Sequence, residues 1–248
     1  MIRIIEVASY TFSKEQDKKN QDSILSPMWA GKGILFAIAD GVGSYQGGEL
    51  ASRTAIEYLS KISPDLNVAS NIESIFHTVR ELVRDLGNVD KIYAQAATTL
   101  TLGFIDDEKL HIGHVGDCRM YIKNSINRLV QITKDHTQLQ QLVDEKLYTK
   151  KYLQDKKVKN ILTTAIANNV EMKCDIFSIP LSEIQDGEAN LSIYIMSDGS
   201  HKFWDIRPRF SSKTMGSVTR FASSLKRRIE FFTPVDDYSF VAVCINNA

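Results

Sequence analysis

The sequence has little of what marks secreted or membrane-spanning proteins. Its three cysteines are an odd number, lie far apart and form no Cys-x-x-Cys pair, so we expect free thiols in a reducing compartment. No apolar run approaches the ~18 residues of a membrane span. Residues 1–12 alternate apolar and polar side chains and lack the apolar core of a secretory signal. We therefore expect a soluble, cytoplasmic protein.

The chain also has no excess charge of either sign. Thirty basic and thirty acidic residues give a formal net charge of zero, so no long-range field attracts nucleic acid or an anionic membrane. Repeats, low-complexity tracts and Pro/Gly/Ser-rich linkers are absent from the sequence. With 248 residues, 43% of them hydrophobic, the chain can bury one substantial core. We expect a single domain over residues 1–248.

Hydrophobic patterning predicts a mixture of strands and helices. The predicted strands are residues 4–12, 34–39, 98–105, 110–115, 120–123, 191–196 and 239–245. Apolar residues recur at helical spacing over 48–62 and 72–86, and further helices are expected near 137–144 and 215–229. This order favours an α+β domain with helices packed on sheets. The lysine-rich stretch 149–159 predicts a surface loop or flap.

Aspartates collect at the ends of the apolar runs. The pairs are Asp40-Gly41, Gly116-Asp117, Asp198-Gly199 and Asp236-Asp237. Carboxylates at one rim repel each other and have raised pKa values unless a divalent cation neutralises them. An all-oxygen ligand set suits Mg²⁺ or Mn²⁺ better than zinc. Asp and Gly are also ordinary turn residues at strand ends, but the four pairs together favour a metal site.

A succession of short motifs runs along almost the whole chain. They are Asn20-Gln21-Asp22-Ser23, Asp40-Gly41-Val42-Gly43-Ser44, Gly48-Glu49-Leu50-Ala51-Ser52, Thr98-Thr99-Leu100, Gly116-Asp117-Cys118-Arg119, Thr133-Lys134-Asp135-His136-Thr137, Asn160-Ile161-Leu162-Thr163, Ser197-Asp198-Gly199 and Asp236-Asp237-Tyr238-Ser239. Their number and order resemble the PPM (type 2C) metal-dependent protein serine/threonine phosphatases of the bacterial, single-domain type. The resemblance implies a central β-sandwich of two antiparallel sheets flanked by helices on both faces, in four α-β-β-α layers, with a flap at about 137–160.

The resemblance also implies the residues of a two-metal core. Asp40 resembles the carboxylate shared by both metals, and Gly41 would contribute its backbone carbonyl. Asp198 and Asp236 would complete the coordination of the first metal. The expected catalytic residues are therefore Asp40, Asp198 and Asp236.

Two further aspartates extend this implied ligand set. Asp22 resembles the first-motif carboxylate, which reaches the second metal directly or through water. Asp117 resembles the residue that, with Asp198, holds a third and weaker metal in bacterial members. The expected cofactors are accordingly two or three Mn²⁺ or Mg²⁺ ions.

The expected reaction is hydrolysis of phosphoserine or phosphothreonine on proteins. Two divalent ions ~3.5–4 Å apart can bridge one water and lower its pKa toward neutrality. We expect that water to attack phosphorus directly, without a phosphoenzyme. The implied partners are phosphorylated proteins and a cognate serine/threonine kinase, and the chain is expected to be a monomer.

The sequence departs from the family pattern before the first motif. Members commonly have an arginine there that grips the substrate phosphate, whereas this chain has Asp17 followed by Lys18 and Lys19. Either lysine supplies a point charge to the phosphate, or both are solvated surface residues. Lysine lacks arginine's bidentate fork, so weaker phosphate binding is expected.

This departure keeps two other functions open. One is a pseudophosphatase or phosphoprotein-binding regulator that retains the fold but turns over poorly. The other is a partner-switching regulator that acts on one small phosphoprotein and therefore has a narrow substrate choice.

Smaller departures concern single residues. Ser44 replaces a glycine, and Val42 replaces the histidine of many eukaryotic members, so no general acid is evident there. Asp237 replaces an asparagine and either tightens metal binding or faces solvent. We expect His136 to anchor the flap through hydrogen bonds.

Overall fold

The structure is a computed structural model that describes residues 1–15, 17–43, 46–153, 161–186 and 190–247, without the side chains of Lys150 and Lys151. Ser44, Asn160 and the later part of the predicted flap, 154–160, lie outside the described residues. None of the helices in the described ranges combines the length and apolar character needed to cross a membrane.

The described strands are β1 (Arg3–Phe12), β2 (Asp22–Ala30), β3 (Gly33–Asp40), β4 (Ala97–Thr98), β5 (Leu100–Ile105), β6 (Lys109–Val115), β7 (Arg119–Lys123), β8 (Leu129–Gln131), β9 (Ile166–Ala167), β10 (Asp175–Pro180), β11 (Asn190–Met196) and β12 (Tyr238–Asn246). The described helices are α1 (Gly48–Ser60), α2 (Val68–Val89), α3 (Gln138–Asp144), α4 (Lys150–Leu153), α5 (Leu181–Ile184), α6 (Asp198–Ile206), α7 (Ser212–Met215) and α8 (Val218–Phe232). A short 3₁₀ turn covers Lys91–Tyr93.

Two five-stranded antiparallel sheets form the centre of the molecule. Sheet one has the order β1-β12-β11-β7-β8, and sheet two has the order β10-β6-β5-β3-β2. A two-stranded ribbon of β4 and β9 lies beside them. The predicted class, an α+β fold with two antiparallel sheets and flanking helices, is confirmed.

Alternation along β3 shows how the layers form. Ile34, Phe36 and Ile38 pack into the core between the two sheets. Their neighbours Leu35, Ala37 and Ala39 point the other way and pack with apolar residues of α1 and α2. Successive strand residues face opposite sides of a sheet, so a strand that is buried on both sides reads as a continuous apolar run.

Sheet one is covered by the C-terminal helices in the same way. Along β12, Val241 and Val243 face the inter-sheet core, whereas Phe240 and Ala242 pack against the apolar faces of α6 and α8. The four layers are therefore helices, sheet two, sheet one and helices.

Several elements differ from the sequence-based expectations. Strand β2 was not predicted, because Pro27 and a register shift between Leu25 and Met28 interrupt its alternation. As an edge strand, β2 tolerates both. The predicted strand 98–105 is divided at Thr99, which turns to bind the backbone of Asp40.

Three helical segments also differ from the expectations. The expected helix 215–229 is divided at Gly216, and Ser217 caps the start of α8. Residues 149–159 were expected to be a loop, but α4 forms at their start. Helix α6 was missed, because its few apolar residues do not repeat over enough turns to give a helical pattern.

Candidate functional site

The predicted carboxylates lie where the ends of the two sheets meet. Asp22, the first residue of β2, is directly opposite Asp40, the last residue of β3. Asp198 follows β11 and begins α6, and Asp236 precedes β12, which pairs with β11. Asp117 follows β6. The charge of Asp198 acts on Asp22, Asp40, Asp117 and Asp236 alike, so these side chains form one group.

The backbone of Asp40 is fixed by the residues that divide β4 from β5. Its N–H donates to Thr99 Oγ1 at 3.0 Å. Its carbonyl accepts from the Thr99 N–H at 2.8 Å and from Thr98 Oγ1 at 3.0 Å. A side chain on so constrained a backbone presents its carboxylate from a rigid base.

Glycines bring the other carboxylates close to the same place. A Cβ at Gly199 would lie 2.0 Å from the backbone oxygen of Asp237, so only glycine lets α6 begin against the Asp236 segment. Gly116 has a φ of +113°, which favours glycine, and it turns the chain from β6 into Asp117. His201 on α6 then donates Nε2–H to the Asp117 carbonyl at 3.2 Å.

Burial and mutual repulsion raise the pKa values of four of these carboxylates. Burial, reinforced by Asp198, raises the pKa of Asp22 to about 7 and that of Asp117 to about 7. Burial and repulsion from Asp22, Asp198, Asp117 and Asp236 hold the pKa of Asp40 well above its usual range. Partial burial and Asp198 also raise the pKa of Asp236. Without added positive charge, the site therefore resists full ionisation near neutral pH.

A lysine that sequence reasoning missed supplies one positive charge. Lys202 on α6 places Nζ 2.5 Å from Asp198 Oδ2 and 3.9 Å from Asp236 Oδ2. Burial is the largest single effect and lowers the pKa of Lys202, but the charge and hydrogen bond of Asp198, together with the charges of Asp236 and Asp117, outweigh it and the net pKa is raised. Lys202 is four residues beyond Asp198, a spacing that brings two side chains together on a helix. The sequence could therefore have predicted their contact only if α6 had been recognised as a helix.

The donor chemistry fits divalent cations. Asp22 Oδ2 is buried without a hydrogen-bond partner, which is costly unless a cation satisfies it. A Cβ at Gly41 would lie 2.4 Å from the Gly48 backbone, so the chain there is closely packed beneath the carboxylates. As the side chains stand, no three Asp, Glu, His or Cys residues in the described ranges are arranged to hold a metal. A metal ion held by these carboxylates would therefore require them to reorient.

The two candidate phosphate-binding lysines precede Asp22 and lie on the surface. Lys18 Nζ pairs with Glu15 Oε1 at 2.8 Å and its side chain is 69% exposed. Lys19 Nζ pairs with Glu49 Oε2 at 2.9 Å and its side chain is 81% exposed. Both ammonium groups are thus engaged by glutamates outside the carboxylate group, so either lysine would have to leave its present partner to reach a phosphate.

The Asp237 carboxylate binds backbone N–H groups, a role different from the metal binding or solvent exposure considered above. Its Oδ1 accepts from the Lys14 N–H and its Oδ2 accepts from the Gln21 N–H, both at 2.7 Å. The carboxylate therefore holds the segment that leads from β1 into Asp22. It acts as a backbone clamp in this structure.

We expect Asp237→Asn to destabilise the protein by roughly 1–3 kcal/mol, since the amide NH₂ would face one of the two backbone N–H donors and leave it unsatisfied. Chemical denaturation of the metal-free proteins measures the change. Asp85→Asn, at an exposed site on α2, is the matched control. Equal stability of Asp237→Asn and the control would contradict the clamp.

His136 anchors the segment before α3, as predicted. Its Nδ1 accepts from the Gly116 N–H at 3.2 Å, so its Nε2 carries the proton and donates to Asp175 Oδ2 at 3.0 Å. Its carbonyl accepts from the Thr163 N–H at 2.9 Å. The segments on either side of the predicted flap are thereby tied to the end of β6.

Comparison with known proteins shows the family of the chain. The family model described as Protein phosphatase 2C matches residues 13–239, and the chain belongs to this family. The serine/threonine phosphatase stp of Listeria welshimeri is 27% identical over 153 residues, which are 59% of this chain and 60% of that relative. The chain thus matches about 60% of the length of this curated relative.

Solved structures show the same fold. Serine/threonine phosphatase Stp1 from Staphylococcus aureus has a TM-score of 0.79 and 20% identity, with 97% of this chain and 95% of that chain covered. The catalytic domain of the serine/threonine protein phosphatase PstP, in complex with two manganese ions, has a TM-score of 0.76 and 22% identity, with 99% and 98% covered.

Proposed function

We propose that this chain hydrolyses phosphoserine and phosphothreonine on proteins and depends on two divalent cations, Mn²⁺ or Mg²⁺. One observation carries the proposal: carboxylates from both sheets converge at one end of the sandwich, where burial and mutual repulsion raise the pKa values of Asp22, Asp40, Asp117 and Asp236. Such a group is stable in its ionised form only with cations bound. Family membership and the manganese complex of PstP support the same assignment.

Each residue of the proposed site has a role that follows from its position. Asp40, Asp198 and Asp236 would hold the metals most directly, with the Gly41 carbonyl and Asp22 completing the set. Divalent ions held by these residues would supply activation of a water for in-line attack on phosphorus, without a phosphoenzyme. The protein supplies rigidity, since the Asp40 backbone is held by Thr98 and Thr99. It also buries Asp22 and partly buries Asp40 and Asp117, so charges interact strongly there.

Besides the cations, the site must bind the phosphate group of the substrate. We propose that Lys18 contributes a point charge after it leaves Glu15. Lys18→Ala is expected to raise KM for a phosphothreonine peptide about two- to fivefold with little change in kcat, since an exposed charge contributes modest, uniform binding. Lys61→Ala, away from the carboxylates, is the control. Unchanged KM in Lys18→Ala would assign that lysine to the surface.

The proposed function is tested with the purified, metal-stripped protein. The substrates are a small aryl phosphate and a phosphothreonine peptide, each with and without Mn²⁺ or Mg²⁺. We expect turnover that appears with metal and disappears with a chelator. No turnover despite measured Mn²⁺ binding would instead identify a pseudophosphatase or phosphoprotein-binding regulator.

A panel of phosphopeptides and phosphoproteins addresses the breadth of the activity. Hydrolysis of many phosphopeptides would identify a general phosphatase, and we propose that its substrates are the proteins phosphorylated by a cognate serine/threonine kinase. Activity confined to one small phosphoprotein would identify a partner-switching regulator.

A further inference from the structure

The position of Lys202 sets it apart from the other lysines of the described chain. Its ammonium faces Asp198 at 2.5 Å and Asp236 at 3.9 Å, and its charge also acts on Asp117. All three carboxylates belong to the proposed metal-binding group. The lysine side chain is 30% exposed, and the Asp198 side chain is 16% exposed. The pair is therefore more shielded from water than an ordinary surface salt bridge.

The helix that carries Lys202 is fixed against the site. Gly199 packs on the Asp237 backbone, His201 binds the Asp117 carbonyl, and Phe203 and Trp204 are buried in the core beneath sheet one. Asp198 and Lys202 are one helical turn apart, so their side chains lie on the same face. The backbone therefore directs the lysine stem to the carboxylates, while its four-carbon chain leaves the ammonium free to swing outward.

We propose that the Lys202 ammonium is an internal counter-ion of the carboxylate group and competes with divalent cations for Asp198 and Asp236. The inference rests on the proposed function, because it concerns the same metal-binding residues. The physical reason is charge: the ammonium already neutralises part of the negative charge of Asp198 and Asp236, and a metal ion bound by these carboxylates would lie close to it. Two positive centres around the same carboxylates would also repel each other.

Two consequences follow for this chain. In the metal-free protein Lys202 offsets part of the carboxylate repulsion and so stabilises the fold. When metal binds, it repels the nearby ammonium, and this repulsion weakens the apparent affinity for metal. Lys202 thus lowers the apparent affinity for metal although it is not itself a ligand.

Calorimetric titration of Mn²⁺ into metal-stripped protein tests the competition. Lys202→Met keeps most of the side-chain volume and removes the charge, and we expect its Kd for Mn²⁺ to fall about tenfold, which corresponds to about 1.4 kcal/mol. Lys202→Arg keeps the charge and is expected to bind Mn²⁺ like the parent. Lys226→Met is the matched control, since Lys226 is 34% exposed and pairs with Glu230 four residues along α8.

Thermal melts separate this role from simple packing. In a chelator, Lys202→Met is expected to melt roughly 2–4 °C below the parent. In saturating Mn²⁺ the difference should vanish or reverse, because tighter binding adds stability by linkage. A lysine that only packed its stem would lower the melting temperature equally in both conditions.

The outcomes distinguish this inference from the proposed function. An unchanged Kd in Lys202→Met, with clear Mn²⁺ binding by the parent, overturns the competition and leaves the metal site standing. A tighter Kd in Lys202→Met but not in Lys226→Met supports it. Failure of both the parent and Lys202→Met to bind Mn²⁺ overturns the competition together with the proposed function.

Discussion

Asp40→Asn is expected to lower kcat on a phosphothreonine peptide by about 10³-fold or more, the order of loss seen when a key electrostatic group of an active site is removed. Asparagine has nearly the same shape, and the backbone bonds of residue 40 to Thr98 and Thr99 stay intact. The loss would come from charge, because a neutral amide cannot balance two divalent ions. Steady-state kinetics with saturating Mn²⁺ measures it.

The same substitution should not weaken the metal-free fold. Burial and four neighbouring carboxylates raise the pKa of Asp40, so its ionised form opposes folding at neutral pH and the amide relieves that cost. We expect Asp40→Asn to melt at or above the parent in a chelator. Asp198→Asn should also lose turnover, whereas Asp85→Asn should keep it. Near-normal kcat in folded Asp40→Asn would refute the assignment.

The layers of the fold could be predicted because burial leaves a strong pattern. Strands such as β3 and β12 are apolar on both faces and read as continuous runs, and α2 shows apolar residues at helical spacing over many turns. The edge strands β2 and β10 were missed, since one side of each borders solvent and their sequences mix polar with apolar residues. The edge strand β1 was nevertheless predicted, because its apolar and polar residues alternate regularly.

Within the site, strand-end carboxylates were predictable and their partners were not. Asp40, Asp117 and Asp198 stand out because each follows an apolar run. The contact of Lys202 with Asp198 depends on a helix too short to leave a pattern, and the bonds from Asp237 to Lys14 and Gln21 join residues far apart in the chain. Contacts made by folding over such separations have no local sequence signal.

The stability of the metal-free protein should depend on pH through Asp22. Burial raises the pKa of Asp22 from its ordinary 3.8 to about 7 in the fold. Between these values the unfolded chain has released the proton and the folded chain retains it, so stability falls as pH rises from about 4 to about 7 and levels off above. The amide introduced by Asp22→Asn does not titrate, so the stability of this variant relative to the parent should increase over the same range.

At one pKa unit per ~1.4 kcal/mol, that gain is at most about 3 kcal/mol between pH 5 and pH 8, because about two units separate pH 5 from the folded pKa of about 7, and it is shared with the carboxylates that Asp22 repels. Chemical denaturation of both proteins in a chelator, from pH 5 to pH 8, measures it. Subtracting the two curves of unfolding free energy against pH cancels the contributions of His114 and His201, whose burial lowers their pKa values in both proteins. The control Asp85→Asn should differ in stability from the parent by the same amount at every pH.

Saturating Mn²⁺ should reverse the sign of the stability difference between Asp22→Asn and the parent, because the cation then stabilises the ionised carboxylate and the amide loses that interaction. A difference that is flat with pH in the chelator would mean that Asp22 is ionised without cost in the metal-free fold, and that its unpartnered oxygen is solvated.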